Sequence, residues 1–151
     1  MPLIIVQAEA KDDAQVTDCV CRAFLPYILQ IGKQPQPMLD NYQELIKNHR
    51  VTLARKGQDC AGVLVIDTVD RLFTIDTLAV HPAYQGTGVG HHLIKRAEHL
   101  AREAGHASIY LSTNRVMTQA QQIYLHLGFE LYDERFAHGY DRLYFRKSLA
   151  V

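Results

Sequence analysis

Neither sign of charge prevails in this chain: 16 lysines and arginines stand against 16 aspartates and glutamates. A net charge of zero leaves no electrostatic footprint for a nucleic-acid partner. Cysteine is scarce. Cys19, Cys21 and Cys60 form no zinc spacing, and Cys19 and Cys21, two apart in a helical pattern, point in different directions. That is poor geometry for a disulfide, so reduced buried thiols are expected, which fits a cytoplasmic setting. No apolar run approaches the roughly 20 residues of a membrane span. The opening Met1-Pro-Leu-Ile-Ile-Val lacks the basic flank and the length of a secretory signal. Eight histidines are present, but none pairs as His-x-x-x-His, and no metal site is expected. There is no internal repeat, low-complexity tract or linker. What remains is ordinary for a globular protein, 48% hydrophobic and 21% charged. One domain spanning residues 1–151 is the expectation, long enough for a core.

The centre of the chain is Leu72 to Leu100, LFTIDTLAVHPAYQGTGVGHHLIKRAEHL. Its first part is a strand, in which Leu72, Phe73, Ile75, Leu78, Ala79 and Val80 are apolar and Thr74 and Thr77 favour extended backbone. His81-Pro82 stops it, since proline cannot donate to a sheet ladder. After Gln85-Gly86-Thr87-Gly88-Val89-Gly90, the residues Val89, Leu93, Ala97, Leu100 and Ala101 recur at helical spacing. Three glycines in five residues are costly to order. One reason for them is an anion. The first N–H groups of a helix lack intrahelical partners, lie at the positive end of its dipole, and are approachable where side chains are missing. The other is a tight turn with no ligand, and the glycines alone leave both open. A Walker loop would end in Gly-Lys-Ser/Thr, where this chain has Gly-His-His. A dinucleotide fingerprint needs its third glycine one residue later and an acidic residue after a second strand.

Around this stretch, Leu3 to Gln7 reads as a strand. Val16, Cys19, Val20, Ala23 and Phe24 read as an amphipathic helix, with Asp12 or Asp13 as its cap. Pro26 to Pro37 is irregular, and a second helix is expected from Met38 through Tyr42, Leu45 and Ile46. Tyr27, Met38 and Tyr42 are candidates to wall an acceptor pocket, or else belong to a helix–loop–helix covering a sheet edge. Val51 to Arg55 and Cys60 to Asp67 form a hairpin through Lys56-Gly57-Gln58-Asp59. Gly105 closes the long helix. Ala107 to Thr113 alternates as a strand, so strand, helix and strand imply a parallel crossover. Thr118 is the expected cap of a helix carrying Ala120, Ile123, Tyr124 and Leu127 on one stripe. Phe129 to Phe136 and Tyr140 to Lys147 close the chain as strands around His138-Gly139.

Two stretches carry a family resemblance. Gln85-x-x-Gly88-x-Gly90, approached through Leu78-Ala-Val-His-Pro82 and Tyr84, resembles the acetyl-CoA pyrophosphate loop of the GNAT superfamily of N-acetyltransferases. Ala120-x-x-Ile123-Tyr124-x-x-x-Gly128-Phe129 resembles a helix and turn found later in the chain of that family. The resemblance covers about Val51 to Leu149. It implies a mixed, twisted sheet of about seven strands flanked by about four helices, with Leu72–Val80 and Ala107–Thr113 as a central parallel pair that splays to admit the cofactor.

It also implies roles. Gln85, Gly86, Thr87, Gly88, Val89 and Gly90 would bind pyrophosphate. The backbone of Leu78, Ala79 and Val80 would pair with the pantetheine arm and polarise the acetyl carbonyl. Asn114 is carried over as a further cofactor contact, although its six-residue interval to Ala120 exceeds the usual three; Thr113 and Met117 match a variant of the pattern. Tyr124 would contact the cofactor and protonate the departing thiolate. Asp76 is the candidate base, with Asp40 and His138 as weaker alternatives. As a lone acid in an apolar strand, it would have its pKa raised by burial.

The resulting expectation is an acetyl-CoA-dependent N-acetyltransferase acting on a primary amine by direct attack in a ternary complex. A non-catalytic acyl-CoA-binding or sensing module is the alternative, and a phosphate-loop nucleotide enzyme a third. The partners expected are acetyl-CoA and an amine, with no nucleic acid, membrane or metal; a homodimer is left open.

Overall fold

The structure, a computed structural model, describes residues 2–149; residues 1, 150 and 151 of the expected domain lie outside the described residues. The chain opens with β1 (Leu3–Gln7), α1 (Asp13–Phe24), a single helical turn α2 (Ile28–Ile31) and α3 (Tyr42–Lys47). It continues through β2 (Val51–Lys56), β3 (Asp59–Val69), β4 (Leu72–Val80), α4 (Val89–Glu103), β5 (Ser108–Asn114) and α5 (Thr118–His126). A hairpin of β6 (Glu130–Ala137) and β7 (Tyr140–Ser148) ends it. The strands form one sheet in the order β1-β2-β3-β4-β5-β7-β6. Every neighbouring pair is antiparallel except β4 and β5. This is the mixed sheet with a central parallel pair that the sequence implied. Among the described residues no helix is long and apolar enough to cross a membrane.

Two of the hairpins turn through paired left-handed residues, Asp70 with Arg71 and His138 with Gly139. That twist matches the twist of the strands they join. Strand alternation then sorts apolar side chains into two cores. Val63 and Leu64 are sequence neighbours in different cores, as are Leu53 and Ala54. One core lies under α4, whose Val89, Leu93, Ile94, Ala97 and Ala101 pack with Phe73, Ile75, Ile109, Leu111 and Phe145. The other lies under α1, where Val16, Val20 and Phe24 meet Leu53, Val63, Val65 and Ala79. Burying a side chain as fully as Leu93 or Leu64 contributes about 1.5–3 kcal/mol.

The regular pairing of β4 with β3 is interrupted at one residue. Val65 pairs with Thr77 but Ile66 pairs with Ile75, so Asp76 is an extra residue bulged from β4. Phe73 and Ile75 face the α4 core before the bulge, and Leu78 and Val80 pack against it after. Same-face residues are therefore three apart across Asp76 instead of two, and the bulge re-aims its side chain.

Several local expectations change. α3 starts at Tyr42, because Asn41 caps it by accepting from the Glu44 N–H at 3.2 Å. The stretch before it contains a helical turn, α2, stopped by left-handed Gly32. Asp12 precedes α1 without capping it; its carboxylate accepts from the Glu9 N–H and from Arg55, each at 2.8 Å. Met117 stands at the cap position of α5, and Thr118 is its first helical residue. Ile123 is 51% exposed, off the buried stripe. Cys19 and Cys60 are buried and Cys21 half-buried, all free. The thiols of Cys19 and Cys60 lie close enough to perturb each other's ionisation, a meeting that sequence spacing does not show, and the Cys60 thiol donates to the Gly62 carbonyl at 3.6 Å.

Candidate functional site

The site originates in a broken strand pairing. β4 and β5 are joined only at Phe73–Ile109, Thr74–Tyr110 and Ile75–Leu111. Beyond the bulge, β4 stays with β3 as far as Val80, while β5 stays with β7 as far as Asn114. The two strands part into a wedge, and a cavity of about 460 Å³ opens there. Residues of both strands line it, including Asp76, Leu78, Ser112 and Asn114.

At the far end of β4, the glycine turn leads into α4. Gly86 and Gly88 are left-handed, with φ of 79° and 89°. Gly88 occupies the cap position, so no side chain caps α4, and its first turn holds no acidic residue. The earliest N–H groups of a 15-residue helix are thus uncapped at its positive end. Gly90 lies close under Val80, where a Cβ would sit 3.4 Å from its Cγ2. The turn is braced from behind. Gln85 Nε2 donates to the Val80 carbonyl at 3.2 Å, and Thr87 Oγ1 donates to the Tyr84 carbonyl at 2.5 Å. These features fit an anion with oxygen acceptors, such as a pyrophosphate.

On the opposite side of the wedge, α5 brings Tyr124 to the cavity. Its ring lies 5.9 Å from that of Phe129 and 6.0 Å from that of Phe145, and the residue is 7% exposed. Burial pushes its hydroxyl pKa above the ordinary tyrosine value. Among the described residues nothing hydrogen-bonds that hydroxyl, so it keeps its proton and has it to offer.

Asp76 also lines the cavity, partly buried at the bulge. Its side chain is 33% exposed and ion-paired with Arg50. Arg50 also reaches Asp67 at 3.3 Å and donates through Nε to the Ile66 carbonyl at 2.9 Å. Loss of water raises the Asp76 pKa and Arg50 lowers it, while Asp67 and Asp40 raise it further, leaving it at about 6.

The acceptor-wall candidates are placed elsewhere. Tyr42 is 2% exposed and donates to the Pro37 carbonyl at 2.5 Å, so it supports the loop from below. Tyr27 and Met38 are partly buried against the α1 core. None of the three lines the cavity. Its outer wall is made instead by Phe24, Pro35–Pro37 and Asp40 on one side and by His138, Tyr140 and Arg142 on the other. Asp40 and His138 are therefore both at the cavity. Asn114 lines it too, though its Oδ1 accepts from the Val116 N–H at 3.2 Å. Arg50, Tyr140 and Arg142 are not marked by the sequence. Arg142 alternates with Leu143 and Phe145 on a strand, a pattern that equally describes a solvent-facing side.

Comparison with known proteins agrees with this geometry. The model of the acetyltransferase (GNAT) family matches residues 20–129. No curated protein sequence matches the chain. Among solved structures, a GNAT-family protein from Desulfovibrio desulfuricans superposes with a TM-score of 0.80 at 19% identity, covering 99% of this chain and 100% of its own. The PaiA N-acetyltransferase of Thermoplasma acidophilum, in complex with coenzyme A, gives 0.82 at 14% identity over 98% and 99%. YncA from Salmonella typhimurium, with its cofactor acetyl-CoA, gives 0.77 at 21% identity over 98% and 94%.

Proposed function

Since the chain belongs to the GNAT acetyltransferase family, we propose that it transfers the acetyl group of acetyl-CoA to a primary amine by direct attack in a ternary complex. One observation carries this reading: β4 and β5 part beside a side chain able to give a proton and another able to take one. Acetyl-CoA, when bound, supplies an acetyl group activated as a thioester. The uncapped start of α4 and the Gln85–Gly90 turn would hold its pyrophosphate. The unpaired side of β4 from Leu78 to Val80 offers backbone groups to its arm, as an edge strand does to an added strand.

The remaining steps belong to side chains. An alkyl amine has a pKa near 10.4 and arrives as an ammonium, so a proton must leave before it can attack. Asp76 accepts that proton, directly or through water. Its pKa of about 6 keeps it ionised at neutral pH while leaving it more basic than an ordinary carboxylate. Tyr124 donates its proton to the leaving sulfur. A backbone N–H in Leu78 to Val80 stabilises developing charge on the carbonyl oxygen.

The test is release of CoA from acetyl-CoA in the presence of a panel of primary amines. Amine-dependent release supports the proposal. Tight acetyl-CoA binding without release for any amine would instead identify a binding or sensing module.

A further inference from the structure

Most arginines near the wedge have an acidic partner. Arg50 has Asp67 and Asp76, Arg115 has Glu134 and Asp141, Arg135 has Asp133, and Arg146 has Glu130. Arg142 has none among the described residues, although it is half-buried and lines the cavity. It rests against Tyr140, 5.4 Å from the ring centroid. That ring is itself held. The Tyr140 hydroxyl donates to the Gln34 carbonyl at 2.6 Å, and Lys33 Nζ lies 4.3 Å from the ring centroid. Across β6 the residue paired with Arg142 is Arg135, another cation. Within the cavity the other charged or titratable groups are Asp40, Asp76, His138, Tyr124 and Tyr140 itself. A guanidinium set beside a held aromatic ring, facing a cavity with no carboxylate paired to it, presents a planar fork for an oxyanion.

That oxyanion is not the cofactor's pyrophosphate, because none of Gln85 to Gly90 lines this cavity. The strand order sets the scale. β5 lies between β4 and β7, so the backbones of Asp76 and Arg142 are two strand spacings apart, roughly 10 Å or more. Asn114 pairs with Arg142 and Leu111 with Ile75, which puts Arg142 about two residues, roughly 7 Å, further along the wedge. Side chains reaching inward from both ends leave room for a small molecule between them.

We propose that Arg142 is the anion-binding residue of the acceptor site, so that the acceptor is a small primary amine that also bears a carboxylate or phosphate. The amine is directed to Asp76 and the anion to Arg142. This rests on the acetyltransferase reading above and narrows its substrate class.

The experiment uses matched compounds: γ-aminobutyrate and β-alanine, their carboxamides, the corresponding aminoalkyl phosphates, and plain alkylamines. Each is tested for thermal stabilisation of the protein–CoA complex and for CoA release from acetyl-CoA. The anionic members are expected to exceed the amides and plain amines at least tenfold in kcat/KM. The carboxylate and phosphate arms show which anion is taken. Arg142→Gln is expected to raise KM for the anionic acceptors at least tenfold and erase their advantage over the amides, whereas Arg142→Lys keeps part of it. Equal use of acids and amides by the wild-type protein would overturn the proposal, whether or not the variants fold. An unchanged preference in Arg142→Gln would do the same. If no amine is acetylated, the acetyltransferase reading fails. The thermal shift then judges the anion site separately: anions that stabilise the CoA complex of the wild type and not of Arg142→Gln support it, and no shift rejects it.

Discussion

Arg50 and Asp76 are ion-paired beside the apex of the wedge, and the same guanidinium also serves Asp67 at 3.3 Å. Arg50 ends the loop before β2, Asp67 lies on β3, and Asp76 is the bulged residue of β4. The bulge brings the third of these groups to the other two. A carboxylate so placed is pulled in opposite directions: partial burial favours its protonated form, and the guanidinium favours its ionised form. Asp67 tempers the pull by sharing the cation.

The pH dependence has a definite sign. With a pKa of about 6, Asp76 gains its charge between roughly pH 5 and 7, so a base role predicts kcat/KM rising through that range. Arg50→Ala removes the influence that lowers the pKa and moves this limb to higher pH. Asp67→Asn removes one that raises it and moves the limb to lower pH. Stability runs the other way. The folded protein holds the Asp76 proton more tightly than the unfolded chain, whose value is near 3.8, so the contribution of Asp76 to stability declines from about pH 4 to about pH 6. Asp76→Asn should therefore gain in melting temperature relative to wild type between pH 4 and pH 7, while losing the rise in rate. A rate profile identical in height and shape for Asp76→Asn would remove Asp76 from the chemistry.

The sheet, its parallel pair and the glycine turn were legible because each leaves a local mark: alternating Ile109 and Leu111, helical spacing from Val89 to Ala101, and glycines where φ is positive. The bulge leaves none. Thr74-Ile75-Asp76-Thr77 reads as unbroken strand, and the extra residue exists only relative to the partner strand. For the same reason Arg50 could not be joined to Asp76, which lies 26 residues away. The place of Tyr42 is not legible either, since a tyrosine on an amphipathic helix looks alike whether its hydroxyl faces a pocket or, as here, a loop carbonyl.

Tyr124→Phe separates chemistry from packing. The ring packs edge-on against Phe129 and tilted against Phe145, and the phenyl ring retains those contacts. The hydroxyl has no protein hydrogen bond to lose among the described residues, so the melting temperature should be unchanged or slightly higher. A positioned proton donor supplies roughly a hundredfold to ten-thousandfold, and kcat should fall by that order with little change in acetyl-CoA Kd. Turnover within about threefold of wild type corresponds to less than about 1 kcal/mol of barrier and would leave Tyr124 as a core residue.

The glycine turn can be probed at Gly86 and Gly88. A Cβ at Gly86 would meet nothing within 4 Å, and one at Gly88 only His92 Cδ2 at 4.0 Å. Alanine is therefore opposed there by backbone conformation, at about 1–2 kcal/mol for each left-handed residue. If these N–H groups hold pyrophosphate, relaxation of the turn toward negative φ turns them away. Acetyl-CoA Kd, measured by calorimetry, should rise at least tenfold for Gly88→Ala. A folded variant with wild-type affinity would place the pyrophosphate elsewhere.

The seat of α4 on the sheet should also reach the cofactor site. Gly62 on β3 lies directly beneath the start of α4, where a Cβ would sit 2.7 Å from Val89 Cγ1, 2.9 Å from Leu93 Cδ1 and 3.1 Å from the Ala79 carbonyl. Val89 and Leu93 are themselves fully packed, so the helix must lift if Gly62 becomes alanine. Overpacking of this kind costs about 1–3 kcal/mol. Val89 is the first residue of α4 and Gly88 its cap, so lifting it also displaces the donors proposed for pyrophosphate. Gly62→Ala should thus weaken acetyl-CoA binding from beneath the sheet, without adding any atom to the turn. The control is Gly105→Ala, just beyond the other end of α4. Gly105 is left-handed with φ of 85°, and a Cβ there would meet nothing within 4 Å. It should lose about 1–2 kcal/mol of stability through its backbone and keep the wild-type acetyl-CoA Kd. Equal losses of affinity in both variants would mean that Kd follows global stability, and the link between the seat of α4 and the cofactor site would fail.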